Sequence, residues 1–234
     1  EKYVAKPTEE LYADLGLTTA AEVRASGVEV GTRVTYEPSW TELGDDRVAT
    51  KGLDNRLGVV ALVELAKRLR ERPLDQGVVI AFTTQEEFHV RGTLALTARF
   101  RPAALINLDV SPATDTPDTG EYCSVRLGGG PVLNLLSFHG RGTLGGLIPD
   151  QNLVTLVEHA AEQAGVPLQR ETIIGLITDA AFVPMSTPEG VACVGLGIPC
   201  RYTHSPIEVG SIRDLEQTIS LLEVLVHYVL ATNV

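Results

Sequence analysis

Apolar residues recur along this chain in two patterns that predict alternating helices and strands. Segments 55–71 and 151–164 place apolar residues at helical spacing, and a further helix is predicted after Ser211. Strands are predicted at four apolar runs, at 77–84, 103–108, 171–177 and 191–198. Uninterrupted apolar runs are typical of strands that helices cover on both faces. The alternation of the two patterns therefore predicts an α/β sandwich.

The first fifty residues have a different texture from the rest of the chain. A short helical run after Thr18-Thr19 ends at Gly27, segment 28–36 alternates as a strand would, and 43–46 is typical of a hairpin turn. This stretch has little apolar core of its own. We therefore expect residues 1–50 to be part of a small β domain and residues 51–234 to form the main domain.

The composition indicates an ordinary globular protein and disfavours several classes of function. Of the 234 residues, 44% are hydrophobic and 21% are charged, which is usual for a folded domain. The formal net charge is −11 and no cluster of Lys and Arg occurs, so neither nucleic acid nor a membrane is an expected partner. Cys123, Cys193 and Cys200 form no close pair, which favours a reducing, cytoplasmic location.

Acidic side chains and one histidine lie at the ends of the predicted elements. These residues are Asp54, Glu86, Glu87, Asp109 and His204. Sites in open α/β sheets form where the strands end at their carboxyl edge, so we expect these side chains to converge. Taken singly, each also has a simpler interpretation, as a solvated strand end, a helix cap, a turn residue or a loop histidine.

This set of side chains suits divalent metal ions. Carboxylates with an imidazole are typical ligands of Zn, Co and Mn. Several carboxylates in one cleft repel one another unless cations or protons neutralise them, and a pair of metal ions does so while activating a shared water. A neighbouring carboxylate that binds no metal then accepts the proton of the water, and Glu86 and Glu87 are placed to divide these two roles.

Six short motifs follow one another along nearly the whole chain. They read Lys51–Gly58 (KGLDNRLG), Thr84–Glu87 (TQEE) with Arg91-Gly92, Asn107–Val110 (NLDV), Leu127–Pro131 (LGGGP), Thr178–Ala180 (TDA) and Arg201–Glu208 (RYTHSPIE). In this order they resemble the motifs of the glutamyl-aminopeptidase-like dimetal aminopeptidases, a family that includes the tetrahedral (TET) aminopeptidases.

The resemblance implies a role for each candidate residue and two divalent metal ions, Zn or Co with Mn as a third option. Asp54 would be the bridging metal ligand, Glu87 and His204 would complete one metal site, and Asp109 would bind the other metal. Glu86 would be the general base. The implied reaction is the removal of N-terminal residues from short peptides.

The resemblance also implies a fold and an assembly. The fold would be a three-layer, zinc-peptidase-like α/β sandwich with a mixed sheet. Residues 1–50 would be the C-terminal part of an inserted β-barrel domain, and 51–234 the metallopeptidase catalytic domain. The enzyme would be a homo-oligomer built from dimers.

The chain departs from the family pattern at three places. We expect the upstream His-x-Asp segment of the family, which supplies a metal ligand, either to lie outside this sequence or to be missing, while Phe88-His89-Val90 and Gly175-Leu176-Ile177 replace smaller, glycine-rich runs. Two alternatives therefore stay open. One is a related amidohydrolase of the deacetylase or carboxypeptidase type, and the other is a truncated or degenerate assembly subunit that does not catalyse.

Overall fold

The computed structural model describes residues 6–71, 74, 77–120, 123–140, 142 and 145–232. Contacts between residues divide the chain into two units, Glu1–Glu37 and Pro38–Val234. Helix α1 (Ala20–Ala25) lies in the first unit and begins with a capping box between Thr19 and Glu22. The candidate site residues all belong to the second unit.

Segment 28–36, predicted as a strand, forms none. Its residues are exposed or half-buried, and within the described part of the first unit no strand is present to pair with it. An alternating sequence becomes a strand only where a neighbour completes its backbone hydrogen bonds, so the pattern alone was insufficient here. The assignment of residues 1–50 to an inserted β-barrel domain stays a prediction.

The second unit is a mixed α/β structure, which confirms the predicted class. Its elements are β1 (Trp40–Leu43), β2 (Arg47–Thr50), α2 (Leu53–Glu71), α3 (Arg91–Phe100), β3 (Ala104–Pro112), β4 (Val132–Phe138), β5 (Gly146–Leu147), α4 (Gln151–Ala164), β6 (Gln169–Ile174), β7 (Ala192–Arg201), β8 (Glu208–Ser211) and α5 (Ile212–Thr232). The three helices and the strands predicted at 103–108, 171–177 and 191–198 are present with shifted ends, and the turn at 43–46 joins β1 to β2.

Strand β7 organises the sheet. It runs parallel to β3 and antiparallel to β4 and β8, while β6 adds in parallel to β4 and the β1–β2 hairpin adds through β8. Two register pairs matter for the site, since Asp109 lies beside Gly197 and Thr50 lies beside Glu208. The sheet is therefore mixed in direction, and the ends of β2 and β7 both lead into loops next to β8.

The two faces of β7 contribute to different apolar clusters. Val194, Leu196 and Ile198 belong to the main core, which α2, α4 and α5 complete. Cys193, on the other face, belongs to a smaller cluster with Ala180 and Val183 from two short turns of 3-10 helix. This split follows from the two-residue period of a strand.

The prediction of a strand at 77–84 is wrong. Val78, Val79 and Phe82 are exposed, and no strand of the described residues pairs with this run. The run forms no backbone ladder with any strand of the described residues, which distinguishes it from β3 and β7.

No helix among the residues described is both long and apolar enough to cross a membrane.

Candidate metal centre

Three side chains from distant parts of the sequence meet at one point. Asp54, Glu87 and His204 each offer a ligand atom, and these atoms all lie within 4.8 Å of one another. The Nε2 atom of His204 lies 3.1 Å from Oδ2 of Asp54 and 3.4 Å from Oε1 of Glu87. The side chains of His204 and Glu87 are more than half exposed, whereas that of Asp54 is mostly buried, so the cluster opens to solvent on one side.

Local packing fixes Asp54 at the start of α2. The side chain of Asn55 donates to the carbonyl oxygen of Leu108 at 2.9 Å and accepts from the Gly58 amide at 3.0 Å. A Cβ atom at Gly58 would lie 2.4 Å from Oδ1 of Asn55, so only glycine allows this approach. The spacing of these residues in the KGLDNRLG motif therefore ties the start of α2 to β3, next to Asp109.

A tight turn between 85 and 90 presents the glutamate pair. Gln85, His89 and Val90 have φ of 62°, 74° and 49°, in the left-handed region, and the Val90 amide donates to the Glu86 carbonyl oxygen at 2.9 Å. A Cβ atom at Gly92 would lie 2.6 Å from the carbonyl oxygen of Thr84, so glycine lets α3 begin directly against the preceding segment.

Asp109 lies inside β3 rather than after its end. Its Oδ1 accepts from the Val110 amide at 2.8 Å. Burial raises the pKa of the Asp109 carboxyl well above its ordinary value, and the charges of Asp54 and Glu86 raise it further. The predicted second metal ligand is therefore an electrostatic neighbour of the first cluster.

The remaining carboxyl groups show the same effect. Burial raises the pKa of Glu86 to about 7, with the charges of Asp179, Glu87 and Asp54 acting in the same direction. Burial also raises the pKa of Asp54, against the lowering effect of His204. Buried carboxyl groups this close together require protons or a cation to neutralise them, and the imidazole and carboxylate donors fit a divalent metal ion.

Two further carboxylates at the site lie in the sequence motifs but are not among the predicted site residues. One is Asp179, whose Oδ2 accepts from the Thr83 hydroxyl and whose charge raises the pKa of Glu86. Its Oδ1 atom is buried and has no hydrogen-bond partner among the described residues. The sequence signal was its position in the loop that follows the strand predicted at 171–177.

The second is Glu208, a residue that is 2% exposed. Its carboxylate accepts from the backbone amides of Asp54 and His204, at 3.0 and 3.1 Å. Only its place four residues after His204 marked it in the sequence.

The unusual segment 88–90 lies beside the site. Phe88 is exposed, and the ring of His89 lies 5.3 Å from that of Phe182, centroid to centroid. His89 thus contacts an aromatic ring, and the cluster within 4.8 Å contains Glu87 from this turn but not His89.

Known proteins resemble the chain over most of its length. It is 39% identical to the Escherichia coli protein SgcX, over 96% of this chain and 60% of SgcX. A TET aminopeptidase from a Thaumarchaeota archaeon is 28% identical with a TM-score of 0.82, over 91% of this chain and 58% of that one. The Pyrococcus horikoshii TET1 peptidase, described as assembling into a tetrahedron or a large octahedral shell, is 32% identical with a TM-score of 0.68, over 81% and 53%.

The chain spans about three fifths of the length of the curated relatives it matches. The model of the M42 glutamyl aminopeptidase family matches residues 1–221. By this match across nearly its whole length, the chain belongs to the M42 glutamyl aminopeptidase family.

Proposed function

We propose that this chain carries the metal centre of an aminopeptidase that removes N-terminal residues from short peptides. The observation that carries the proposal is the meeting of Asp54, Glu87 and His204, with ligand atoms within 4.8 Å, beside the partly buried Glu86. Membership of the M42 family supports the same reaction class.

We assign two divalent ions to the centre, Zn or Co with Mn as a third option. Asp54, Glu87 and His204 would hold one ion, and Asp54 would share the second with Asp109. Burial raises the pKa values of both carboxyl groups, and the charge of Asp54 raises that of Asp109 further, which supports this pairing, since a shared cation would neutralise both groups. When bound, such ions polarise a peptide carbonyl and lower the pKa of water.

Glu86 is the proposed general base. It would take a proton from the attacking water and pass it to the amine that leaves. A proton carrier works best when its pKa lies near the working pH, and the pKa of Glu86 is raised to about 7. Glu87, its neighbour in the chain, is turned toward His204 instead, 3.4 Å away. The two adjacent glutamates are thereby suited to different tasks.

The proposal also includes the layer architecture of the fold, the oligomeric assembly and the cellular location. The sheet with helices on one face and 3-10 turns on the other fits a three-layer peptidase sandwich. The assembly of the Pyrococcus horikoshii relative into closed shells supports a homo-oligomer built from dimers. The three free cysteines, two of them buried, support a cytoplasmic location.

The experiment that tests the proposal compares substrates with a free and a blocked amino terminus. A panel of aminoacyl anilides and their N-acetylated counterparts would be supplied to the full-length protein with added Zn²⁺ or Co²⁺. We expect cleavage of the free aminoacyl compounds alone. Cleavage of the acetylated compounds instead would support the related amidohydrolase, and cleavage of neither by metal-loaded protein would support the non-catalytic subunit.

A further inference from the structure

Glu208 joins two of the proposed metal ligands through their backbones. It is the first residue of β8, and its side chain is almost completely buried, with 2% exposed. One carboxylate oxygen accepts from the Asp54 amide at 3.0 Å and the other from the His204 amide at 3.1 Å. A single side chain therefore spans residues that are separated by 150 positions in the chain.

The two residues it holds follow β2 and β7, the two strands that flank β8. Asp54 follows β2, which pairs with β8 at Thr50 beside Glu208. His204 lies in the connection from β7 to β8, where Tyr202 and His204 have φ of 61° and 62°. Residues other than glycine adopt this left-handed conformation at a cost, so surrounding contacts must hold it. The hydrogen bond from the His204 amide to Glu208 is one such contact.

We propose that Glu208 is a positioning residue that sets the separation of Asp54 and His204 and so prepares them to bind one metal ion together. The inference rests on the proposed function, because it takes these two side chains as ligands of one ion. Glu208 itself acts through the two backbone amides. Hydrogen bonds from amides to a charged carboxylate are stronger than those between neutral groups, which suits a residue that must fix two segments of backbone.

The substitution Glu208→Gln separates this role from simple packing. Glutamine has nearly the same shape, but its side chain ends in a carboxamide, whose NH2 group donates hydrogen bonds instead of accepting them. One of the two amides would therefore face a second donor, and one ligand would lose its anchor. Changes to partners that orient metal ligands commonly weaken metal binding by about 10–100-fold.

The chain offers a matched control at Asp214. This carboxylate is also completely buried and also accepts from two backbone amides, those of Gly128 and Gly130, at 2.7 and 2.8 Å. It lies at the start of α5, outside the metal cluster. Asp214→Asn thus imposes the same chemical change on a different pair of amides.

The experiment measures the affinity of the metal-depleted, full-length protein for Co²⁺ by calorimetry, together with its thermal unfolding. We expect Glu208→Gln to bind Co²⁺ about 10–100-fold more weakly than wild type. Asp214→Asn should be destabilised but keep the wild-type affinity. Glu208→Asp, which keeps both oxygens on a shorter side chain, should show a smaller loss and serves if the Gln variant does not fold.

Two results would overturn the inference. One is wild-type affinity in a folded Glu208→Gln or Glu208→Asp protein, and the other is an equal loss in Asp214→Asn, which would assign the effect to general destabilisation. A wild-type protein that binds Co²⁺ but cleaves no aminoacyl substrate would refute the proposed function and leave the Glu208 comparison valid.

Discussion

Carboxyl groups dominate the site at the scale of single residues. Burial, and next the charges of neighbouring carboxylates, raise the pKa values of Asp54, Glu86 and Asp109, while the imidazole of His204 lowers those of Asp54 and Glu86. An arrangement of this kind is unfavourable unless protons or cations occupy it. The same repulsion that costs stability in the folded protein would therefore favour the binding of the proposed divalent metal ions.

Glu86→Gln tests the division of labour between the two glutamates. The amide cannot accept a proton from water, so we expect turnover of an aminoacyl substrate to fall by about 10²–10⁴-fold. Metal stoichiometry should stay at the wild-type value, because Glu86 is not a proposed ligand. Glu158→Gln, which alters a surface ion pair with Arg170, is the control. Full activity in Glu86→Gln would remove Glu86 from the role of base.

Residues whose own side chains form the site can be predicted from the sequence more readily than residues that hold the backbone of others by hydrogen bonds. Asp54, Glu87 and His204 were expected to converge because they lie next to the ends of predicted elements, and they do meet. Glu208 accepts hydrogen bonds from two backbone amides, which all residues except proline possess. The residue types of its partners therefore do not reveal its role in the sequence. Asp179 acts on Glu86 through space, which spacing in the sequence does not reveal.

At the scale of elements, β6 carries an unusual buried carboxyl group. Glu171 is 7% exposed, its Oε1 accepts from the Ser111 hydroxyl at 2.9 Å and from the Asn134 amide at 3.2 Å, and its Oε2 has no partner among the described residues. It lines a cavity of about 40 Å³ that Asp109 also lines. Burial raises the pKa of Glu171 above its ordinary value near 4.5, against the opposing hydrogen bonds.

This shift predicts how stability depends on pH. The folded protein binds the Glu171 proton more tightly than the unfolded chain does. Protonation of Glu171 therefore stabilises the folded state fully below the ordinary pKa, and this stabilisation is lost as pH rises through the raised pKa. We expect Glu171→Gln to remove this dependence. As pH rises from low to neutral, the free energy of unfolding of the variant should increase relative to that of wild type by about 1.4 kcal/mol per unit of pKa elevation.

The measurement is denaturant unfolding of both proteins in the metal-free state between pH 4 and 8. Glu158→Gln, a change to a surface carboxylate, should follow the wild-type curve throughout. Parallel curves for wild type and Glu171→Gln would show that burial does not perturb this group.

The predicted elements are present where the apolar pattern of a segment also has a neighbouring element to pack against or pair with. Segments 55–71 and 151–164 have an apolar stripe, and that stripe packs in the main core. Segment 77–84 is as apolar as 103–108, yet only the second pairs with β7. Apolar composition is a local property, but a strand also needs a neighbour, which the local sequence does not contain.

At the scale of the whole molecule, the site depends on the order of the strands. Its three clustered residues come from the start of α2, the turn before α3 and the connection between β7 and β8. The pairing of β2 and β7 with β8 brings the first and last of these together. The sequence predicted an α/β class but not this strand order, because the order is set by long-range pairing.

The central claim is that Asp54, Glu87 and His204 hold a metal ion that the peptidase reaction requires. The most direct measurement is hydrolysis of an aminoacyl anilide by the full-length protein after treatment with chelator and again after adding Zn²⁺ or Co²⁺, alongside His204→Ala and its metal content. We predict that chelation abolishes hydrolysis, that metal restores it, and that His204→Ala retains one ion fewer per chain and is not restored. Hydrolysis that persists in chelator, or full metal content in His204→Ala, would contradict the account.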